Sequence, residues 1–431
     1  MQQAVQGHYN DRKRYSKNEA CFTGRSITNA VKNACIQNHV KCTDAITLFG
    51  GGHGAQVGFL ESVVRVKQLH LYDLSEDALK SAAERAGCLP CTLHPCDFTQ
   101  PLPADQTHVK TQLVEAGLCL HYAATSEQNW VQALQNAKQL MQKDGRLIVT
   151  IPHAEHIIFM FRVQWVRVHC GCAWQQAYDA LITHNDDCSA AMRALGGSPA
   201  ETLQQCGVPD DVAQGLASDD PDFELLRQRA CGVVHVDNVF TILADWVVSW
   251  ECPPTLGEHE WGKMYYFRLH AKTTSNSYCP EPLIPSAAWS IVADMGFRQH
   301  EPRQTLMQWL WDRRHSCSPA LFKALGRTRV DATVDLYLHT YCVTVLHLYD
   351  VPQRVPPPLS LTSYLFQCGR TPCAQDGSIR FEPPLQPAVD DRMRWDRVLG
   401  WVQEDEMEED DPQPQFTLTE EALKELARRR L

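Results

Sequence analysis

The sequence lacks any apolar run long enough to form a membrane-spanning helix. Such a helix needs about 20 consecutive apolar residues, and no stretch of the 431 residues approaches that length. The first residues are polar and basic, and they lack the apolar core of a secretory signal peptide. We therefore expect no membrane partner. We also expect the 18 cysteines to be reduced thiols, many of them buried as small hydrophobic side chains.

The cysteines also lack the paired knuckles of a structural zinc site. Three groups stand close together in sequence: Cys88, Cys91, His94 and Cys96; Cys170 and Cys172; and Cys368 and Cys373. A zinc ion needs four ligands at compatible spacing, and none of these groups pairs with another. We expect no metal.

The chain has fewer basic than acidic residues, 40 against 51, and its formal net charge is -11. This sign argues against an RNA or phosphate partner. However, seven of the acids lie within residues 404–411, which leaves -4 on the remainder. Residues 10–17, NDRKRYSK, are strongly basic. The overall sign therefore does not exclude a local phosphate site.

Short apolar segments alternate with helical patterns over the first third of the chain. Strands are expected in AITLF, at Leu69 to Tyr72, and in LPCTLHPCDF, LVEAGLCLHY and GRLIVTIP. Helices are expected over 26–37, after Ser75 and over 126–142. This alternation predicts an α/β fold with a doubly wound, mostly parallel sheet. Ligands bind such sheets at the carboxyl ends of the strands.

The composition changes along the chain and predicts six regions. These are a basic N-terminal arm (1–25), a cofactor-binding α/β core (26–155), a mainly helical insertion (156–235), the remainder of the core (236–350), a proline-rich then acidic linker (351–415) and a C-terminal helix (416–431). Thr417 and Glu420 form a capping box for the last helix.

A glycine cluster and two acids mark the ends of the first three predicted strands. Gly50, Gly52 and Gly54 follow the first strand, where backbone N–H groups can approach a ligand closely. Asp73 ends the next strand, about twenty residues on, where a carboxylate can accept ribose hydroxyls. Asp97 follows the third strand, and its carboxylate can accept a hydrogen bond from the exocyclic amine of an adenine. Together they indicate an adenosine-containing ligand.

Two adenosine ligands fit this pattern to different degrees. NAD requires G-x-G-x-x-G, which Gly50, Gly52 and Ala55 meet incompletely, and no residues for a nicotinamide are evident. S-adenosylmethionine has no phosphates and needs only the loop and the two acids, so it fits better.

Several segments, in order along the chain, form a set of family motifs. They are VQGHYNDRKR, SITNAVKNACI, LFGGGHGAQ, LYDLSEDALKSAAER, CLHYAATSE, GKMYYFRLHAKTTSNSYCPEPLIP and HTYCVTVLHL. In this order they resemble the mRNA cap guanine-N7 methyltransferases, from about residue 5 to 157 and again from about 236 to 345. The resemblance implies a Rossmann-like class I methyltransferase that uses S-adenosylmethionine.

The resemblance also implies roles for individual residues. The methyl donor would be held by Lys32, Gly50, Gly52, Gly54, Asp73 and Asp97, with Lys32 at the donor carboxylate. The cap guanine would be held by His121, Tyr122, Glu281 and Tyr341. The triphosphate bridge would meet Arg12, Lys13 and Arg14. All are positioning roles, because guanine N7 has a free lone pair and needs no acid or base.

The partners implied by the resemblance are 5′-capped mRNA and, at the C-terminal region, an RNA guanylyltransferase or another capping subunit. The implied compartment is the nucleus, with the cytoplasm as the alternative.

The sequence departs from the family pattern at four positions near the expected site. Leu48 replaces an acid two residues before the first loop glycine, His53 a lysine, Gln56 an aspartate and Leu118 an aromatic residue. Losing an acid near a cationic donor would weaken its binding. The alternatives are therefore a weak or inactive methyltransferase-like subunit that binds RNA or regulates a partner, and a methyltransferase for another RNA position. Ribose methylation would need a lysine flanked by acids, which is not evident.

Overall fold

The computed structural model describes residues 20–40, 45–196, 232–236, 240–244, 254–269, 279–313, 337–348, 393–396 and 400–403. The chain divides into two units, residues 1–384 and 385–431. The second unit contains an antiparallel hairpin of β12 (Met393–Asp396) and β13 (Gly400–Gln403).

A seven-stranded sheet forms the centre of the first unit. Its strands are β1 (Ala45–Phe49), β2 (Gln68–Asp73), β3 (Cys91–Pro95), β4 (Thr111–Gly117), β5 (Met141–Pro152), β10 (Phe297–Thr305) and β11 (Tyr341–Leu348). The order across the sheet is β3-β2-β1-β4-β5-β11-β10. The first five strands are parallel, and β11 is antiparallel to both β5 and β10. The predicted doubly wound, mostly parallel sheet is confirmed.

Helices lie before, between and after the parallel strands. They are α1 (Ala20–His39), α2 (Val57–Phe59, continued by a π-helical turn over Leu60–Val64), α3 (Glu76–Arg85), α4 (Glu127–Leu140), α5 (Ala154–Cys170), α6 (Trp174–Thr183), α7 (Cys188–Leu195), α8 (Ala287–Asp294) and α9 (Leu306–Asp312). The hydroxyls of Ser75 and Ser126 cap α3 and α4, accepting the backbone N–H groups of Ala78 and Asn129. The predicted helix after Ser75 is therefore present, and so is the long one after Ser126.

A second sheet of four antiparallel strands lies within the same unit. Its strands are β6 (Val233–Val236), β7 (Phe240–Leu243), β8 (Met264–Leu269) and β9 (Cys279–Pro282), paired in that order. In β8, Tyr265 and Phe267 alternate with other residues, so they point to the same face. Their partners across β9 are Glu281 and Cys279. One face of this sheet therefore carries two aromatic rings, a carboxylate and a thiol.

The main sheet separates two apolar cores. Leu48 and Leu113 belong to the core that also contains residues of α1 and α5, whereas Phe49 and Ala116 belong to the core that contains α4 and α8. Successive residues of a strand point to opposite faces, which explains this division. Leu48 is fully buried.

Three features of the structure differ from the regions predicted from the sequence. Helix α1 begins at Ala20, inside the region predicted as an arm. The predicted insertion boundary at residue 156 falls inside α5, whose apolar residues are buried on almost all sides and therefore show no helical period. The hairpin of β12 and β13 lies within the region predicted as a linker. The predicted helix 416–431 lies outside the described residues.

Within the described part of the chain, no helix is long and apolar enough to cross a membrane.

Replacing Ser75 with alanine removes the side-chain cap of α3. The free energy of unfolding should fall by about 1 kcal/mol, because the N–H of Ala78 loses its acceptor. Urea denaturation measures the change. Ser286→Ala is the matched control, because Ser286 precedes α8 without a side-chain cap bond and is exposed. Equal losses in the two variants would contradict a capping role.

Candidate functional site

The glycine loop after β1 is held closely against two neighbouring elements. Gly50, Gly52 and Gly54 have φ angles of +67°, +51° and +72°, a region that favours glycine. A Cβ on Gly50 would overlap the side chain of Cys119, and one on Gly54 would lie 2.8 Å from the Cα of Ala82 in α3. A Cβ on Gly52 would meet nothing within 4 Å. The loop is therefore packed at its two ends and open at its centre.

Asp73 is oriented by the backbone of this loop and of its own turn. Its Oδ2 accepts the N–H of Gly52 at 2.8 Å, and its Oδ1 accepts the N–H of Ser75 at 2.9 Å. Burial raises the pKa of Asp73, and these backbone bonds offset part of the rise. A carboxylate has about four acceptor sites. Asp73 can therefore accept hydrogen bonds from ribose hydroxyls in addition to those from the two backbone amides.

Asp97 lies beside Asp73 at the next strand end. Its Oδ1 accepts the backbone N–H and the hydroxyl of Thr99 at 2.9 and 2.7 Å, which fixes the carboxylate in the turn after β3. Cys96 donates its N–H to the carbonyl of Asp73 at 3.0 Å. Burial, followed by the charges of Asp73 and Asp97, raises the pKa of the Cys96 thiol to about 12. The two predicted acids thus share one neighbourhood.

Lys32 of α1 reaches the carboxyl end of β4. Its ammonium lies 3.5 Å from Oε1 of Glu115, and their side chains are 9% and 2% exposed. Glu115 is absent from the sequence expectations. The available signal was an acid inside the otherwise apolar segment LVEAGLC, which is unusual for a strand that is buried on both faces.

His121 and Tyr122 lie in a 3₁₀ turn, Leu120–Ala123, that follows β4. The chain enters this turn through Leu118, whose φ of +59° is rare for a residue with a side chain. The rings of His121 and Tyr122 are 4.1 Å apart. Burial lowers the pKa of His121 to about 3, so the ring is neutral. Neither ring nitrogen hydrogen-bonds to a residue that the structure describes.

A buried polar group without a partner costs free energy. The two ring nitrogens of His121 can therefore hydrogen-bond to a polar ligand at this position. Tyr122 connects the turn to the second sheet, because its hydroxyl lies 3.6 Å from the Sγ of Cys279.

Glu281 is buried on the second sheet and bonded to its cross-strand partner. The hydroxyl of Tyr265 donates to Oε2 of Glu281. Burial and the charge of Glu281 raise the pKa of Tyr265 well above its usual value, so the hydroxyl keeps its proton. Tyr341, the first residue of β11, packs edge-on against Phe267 with ring centroids 6.3 Å apart.

The structure thus brings His121, Tyr122, Glu281 and Tyr341 to one region through Cys279 and Phe267. Tyr265 and Cys279 were not among the expected site residues. Period-2 alternation in YYF and CPE could have revealed them, because it places them on the face that carries Glu281.

The remaining expectations concern basic residues and metals. Arg12, Lys13 and Arg14 lie outside the described residues. Among the residues that the structure describes, no group of three or more His, Cys, Asp or Glu side chains is arranged to hold a metal ion.

Five parallel strands followed by an antiparallel β11 between β5 and β10, with a glycine loop and acids at the strand ends, define the class of the fold. It is the Rossmann-like fold of class I S-adenosylmethionine-dependent methyltransferases. Residues 1–169 match the family model of the mRNA (guanine-N(7))-methyltransferase domain. The family resemblance of the sequence motifs is confirmed over that region.

Individual relatives are distant. The mRNA cap guanine-N(7) methyltransferase of Eremothecium gossypii is 25% identical over 177 residues, which is 36% of this chain and 40% of that protein. The chain thus spans about two fifths of the length of this curated relative.

Solved structures with similar folds are more distant still. The CcbJ methyltransferase from Streptomyces caelestis is 12% identical, with 74% of this chain and 89% of that chain covered and a TM-score of 0.37. A putative S-adenosylmethionine-dependent methyltransferase from Listeria monocytogenes is 10% identical, with 75% and 99% covered and a TM-score of 0.37. These distant similarities add nothing to what the sheet order shows.

Alanine substitutions at two glycines of one loop should have different consequences. Gly54→Ala should destabilise the protein by about 1–3 kcal/mol, because the new Cβ meets the backbone of Ala82. Gly52→Ala carries only the cost of its positive φ, about 1 kcal/mol, but places a methyl group on the open side of the loop.

Thermal unfolding and titration with S-adenosylhomocysteine measure the two effects separately. Gly52→Ala should lose affinity by more than Gly54→Ala does, while losing less stability. A smaller loss of affinity in Gly52→Ala than in Gly54→Ala would show that the open side of Gly52 does not face the ligand.

Proposed function

We propose that this protein transfers the methyl group of S-adenosylmethionine to N7 of the guanine cap of mRNA. The observation that carries the proposal is the meeting of two different surfaces at the His121–Tyr122 turn. One is the strand edge with the glycine loop, Asp73 and Asp97. The other is the face of the second sheet, where Tyr265 orients the carboxylate of Glu281.

The strand edge suits the methyl donor. Asp73 can accept the ribose hydroxyls, and Asp97 can accept the exocyclic amine of the adenine. The open side of Gly52 leaves room for a ligand against the backbone. Lys32 supplies a cation for the donor carboxylate. None of these roles requires a phosphate or a metal.

The second surface suits a guanine. The Watson–Crick edge of guanine presents two adjacent donors, N1–H and the N2 amine, and a carboxylate accepts both through charge-assisted hydrogen bonds. The Tyr265 hydroxyl donates a hydrogen bond to Oε2 of Glu281, and this bond fixes the orientation of the carboxylate. Tyr341 offers an aromatic surface for the base, and neutral His121 offers one donor and one acceptor.

The proposed reaction is a direct displacement. A bond forms between guanine N7 and the methyl carbon as the bond from that carbon to the sulfonium sulfur breaks, and the electron pair of the broken bond stays on sulfur. N7 already has a free lone pair, so no side chain needs to remove a proton. The residues act by holding N7 in line with the breaking bond, at roughly 3–3.5 Å from the methyl carbon, and by excluding water.

We further propose that Arg12, Lys13 and Arg14 meet the triphosphate bridge of capped mRNA and that the C-terminal region binds an RNA guanylyltransferase or another capping subunit. The basic sequence around residue 12 and the acidic segment 404–411 support these two parts of the proposal. The proposed compartment is the nucleus.

A second candidate is a subunit that binds cap or RNA without catalysis. Leu48 favours it, because the acid expected there is replaced by a fully buried apolar side chain. This candidate predicts cap binding without methyl transfer.

Methyl transfer from labelled S-adenosylmethionine to GpppA-capped RNA distinguishes these functions. The proposal predicts label on guanine N7 and none on RNA whose cap is already N7-methylated. Label on the pre-methylated RNA would move the reaction to another atom. Cap binding without transfer would support the second candidate.

Glu281→Gln should lower kcat/KM for capped RNA by roughly 10- to 100-fold, because one charge-assisted acceptor for the guanine edge becomes a donor. The KM for S-adenosylmethionine should stay unchanged. Tyr265→Phe should give a smaller loss, since it removes only the bond that orients Glu281. The assay is steady-state methyl transfer at varied RNA concentration.

Glu260→Gln is the matched control for Glu281→Gln. Glu260 is an exposed acid in the same part of the chain, bonded to Gly257 and Lys263. It should leave the kinetic constants unchanged. An unchanged kcat/KM for capped RNA in Glu281→Gln would exclude Glu281 from cap recognition.

A further inference from the structure

The acid missing at position 48 has a spatial counterpart on the neighbouring strand. In the parallel pairing of β1 with β4, Leu48 is the register partner of Glu115. Partners in a sheet point to the same face, and adjacent strands lie about 4.8 Å apart. The carboxylate of Glu115 therefore lies on the same face of the sheet as the side chain of Leu48, on the adjacent strand.

The ion pair between Lys32 and Glu115 is buried without being fully bonded. Both side chains are less than a tenth exposed, and Nζ and Oε1 are 3.5 Å apart. Oε1 makes no hydrogen bond to any residue in the described part of the chain. A buried ion pair contributes little unless further hydrogen bonds satisfy its atoms. Stability alone therefore does not explain why two charges are kept at this position.

Gly117 is needed for both charges to reach the strand end. A Cβ at this position would overlap Oε1 of Glu115 and Nζ of Lys32. Both side chains thus lie against the backbone at the carboxyl end of β4, next to the glycine loop that Cys119 contacts. This is the edge at which ligands bind in such sheets.

We propose that Lys32 and Glu115 together bind the amino-acid end of the methyl donor. In this proposal Glu115 supplies the carboxylate that is absent at position 48, where this chain has leucine. That end of the donor is a zwitterion. The ammonium of Lys32 matches its carboxylate, and the carboxylate of Glu115 matches its α-ammonium group. In the free protein the two side chains neutralise each other, and each gains an oppositely charged partner in the ligand. The inference rests on the donor named in the proposed function.

Two adenosine ligands test the role of Glu115. S-adenosylhomocysteine has the amino-acid end, whereas 5′-methylthioadenosine lacks it and keeps the ribose and adenine. Glu115→Gln should weaken S-adenosylhomocysteine by on the order of 10- to 100-fold in calorimetric titration. Affinity for 5′-methylthioadenosine should change less than about twofold in the same variant, which also shows that the fold is retained.

A third ligand separates the two charges. Decarboxylated S-adenosylhomocysteine keeps the ammonium group but has no carboxylate. Its binding should remain sensitive to Glu115→Gln and become insensitive to Lys32→Met. Equal sensitivity to both variants would contradict the assignment of one residue to each charged group.

Moving the acid back to β1 provides a rescue. The double variant Leu48→Asp, Glu115→Gln should recover most of the affinity for S-adenosylhomocysteine that Glu115→Gln loses. A merely structural role of Glu115 would not be rescued in this way.

The outcomes separate this inference from the proposed function. If the unmodified protein binds neither adenosine ligand, the methyl donor itself is wrong. If it binds both, and Glu115→Gln weakens them equally or not at all, the donor stands and the role of Glu115 is overturned.

Discussion

The parallel register between β1 and β4 is the constraint on which both surfaces of the proposed site depend. It places Leu48 beside Glu115 and Phe49 beside Ala116, so the glycine loop and the His121–Tyr122 turn leave the sheet at the same edge. A register shift of one residue would turn the carboxylate of Glu115 into the opposite core. The packing of Cys119 against Gly50 links the loop to the turn.

The second sheet adds to this edge what the parallel strands lack. The parallel strands end in small and acidic residues suited to a nucleoside, whereas β8 and β9 present rings and an oriented carboxylate on one face. Tyr341 is the first residue of β11, which runs antiparallel to β5. Tyr341 therefore lies beside Pro152, at the edge of the sheet where the parallel strands have their carboxyl ends. The antiparallel direction of β11 thus places the ring of Tyr341 next to Phe267 of the second sheet.

The sequence predicted the parallel sheet because short apolar segments alternate with helical patterns over the first third of the chain. Asp73 and Asp97 were predicted for the same reason, since Asp73 is the last residue of β2 and Asp97 lies two residues after the end of β3. The position of Glu115 beside Leu48 could not be predicted, because it depends on a register between strands that are distant in sequence. The bond between Tyr265 and Glu281 depends in the same way on antiparallel pairing. Helix α5 is buried on almost all sides, so its sequence has no period to mark where it begins.

A crystal structure of the protein with S-adenosylhomocysteine and the cap analogue GpppG tests the account most directly. We expect the homocysteine end between Lys32 and Glu115, the ribose on Asp73, and the guanine edge on Glu281 with N7 facing the sulfur atom. A guanine bound away from Glu281, or with N7 turned from the sulfur, would contradict the central claim that these two surfaces form one methyl-transfer site.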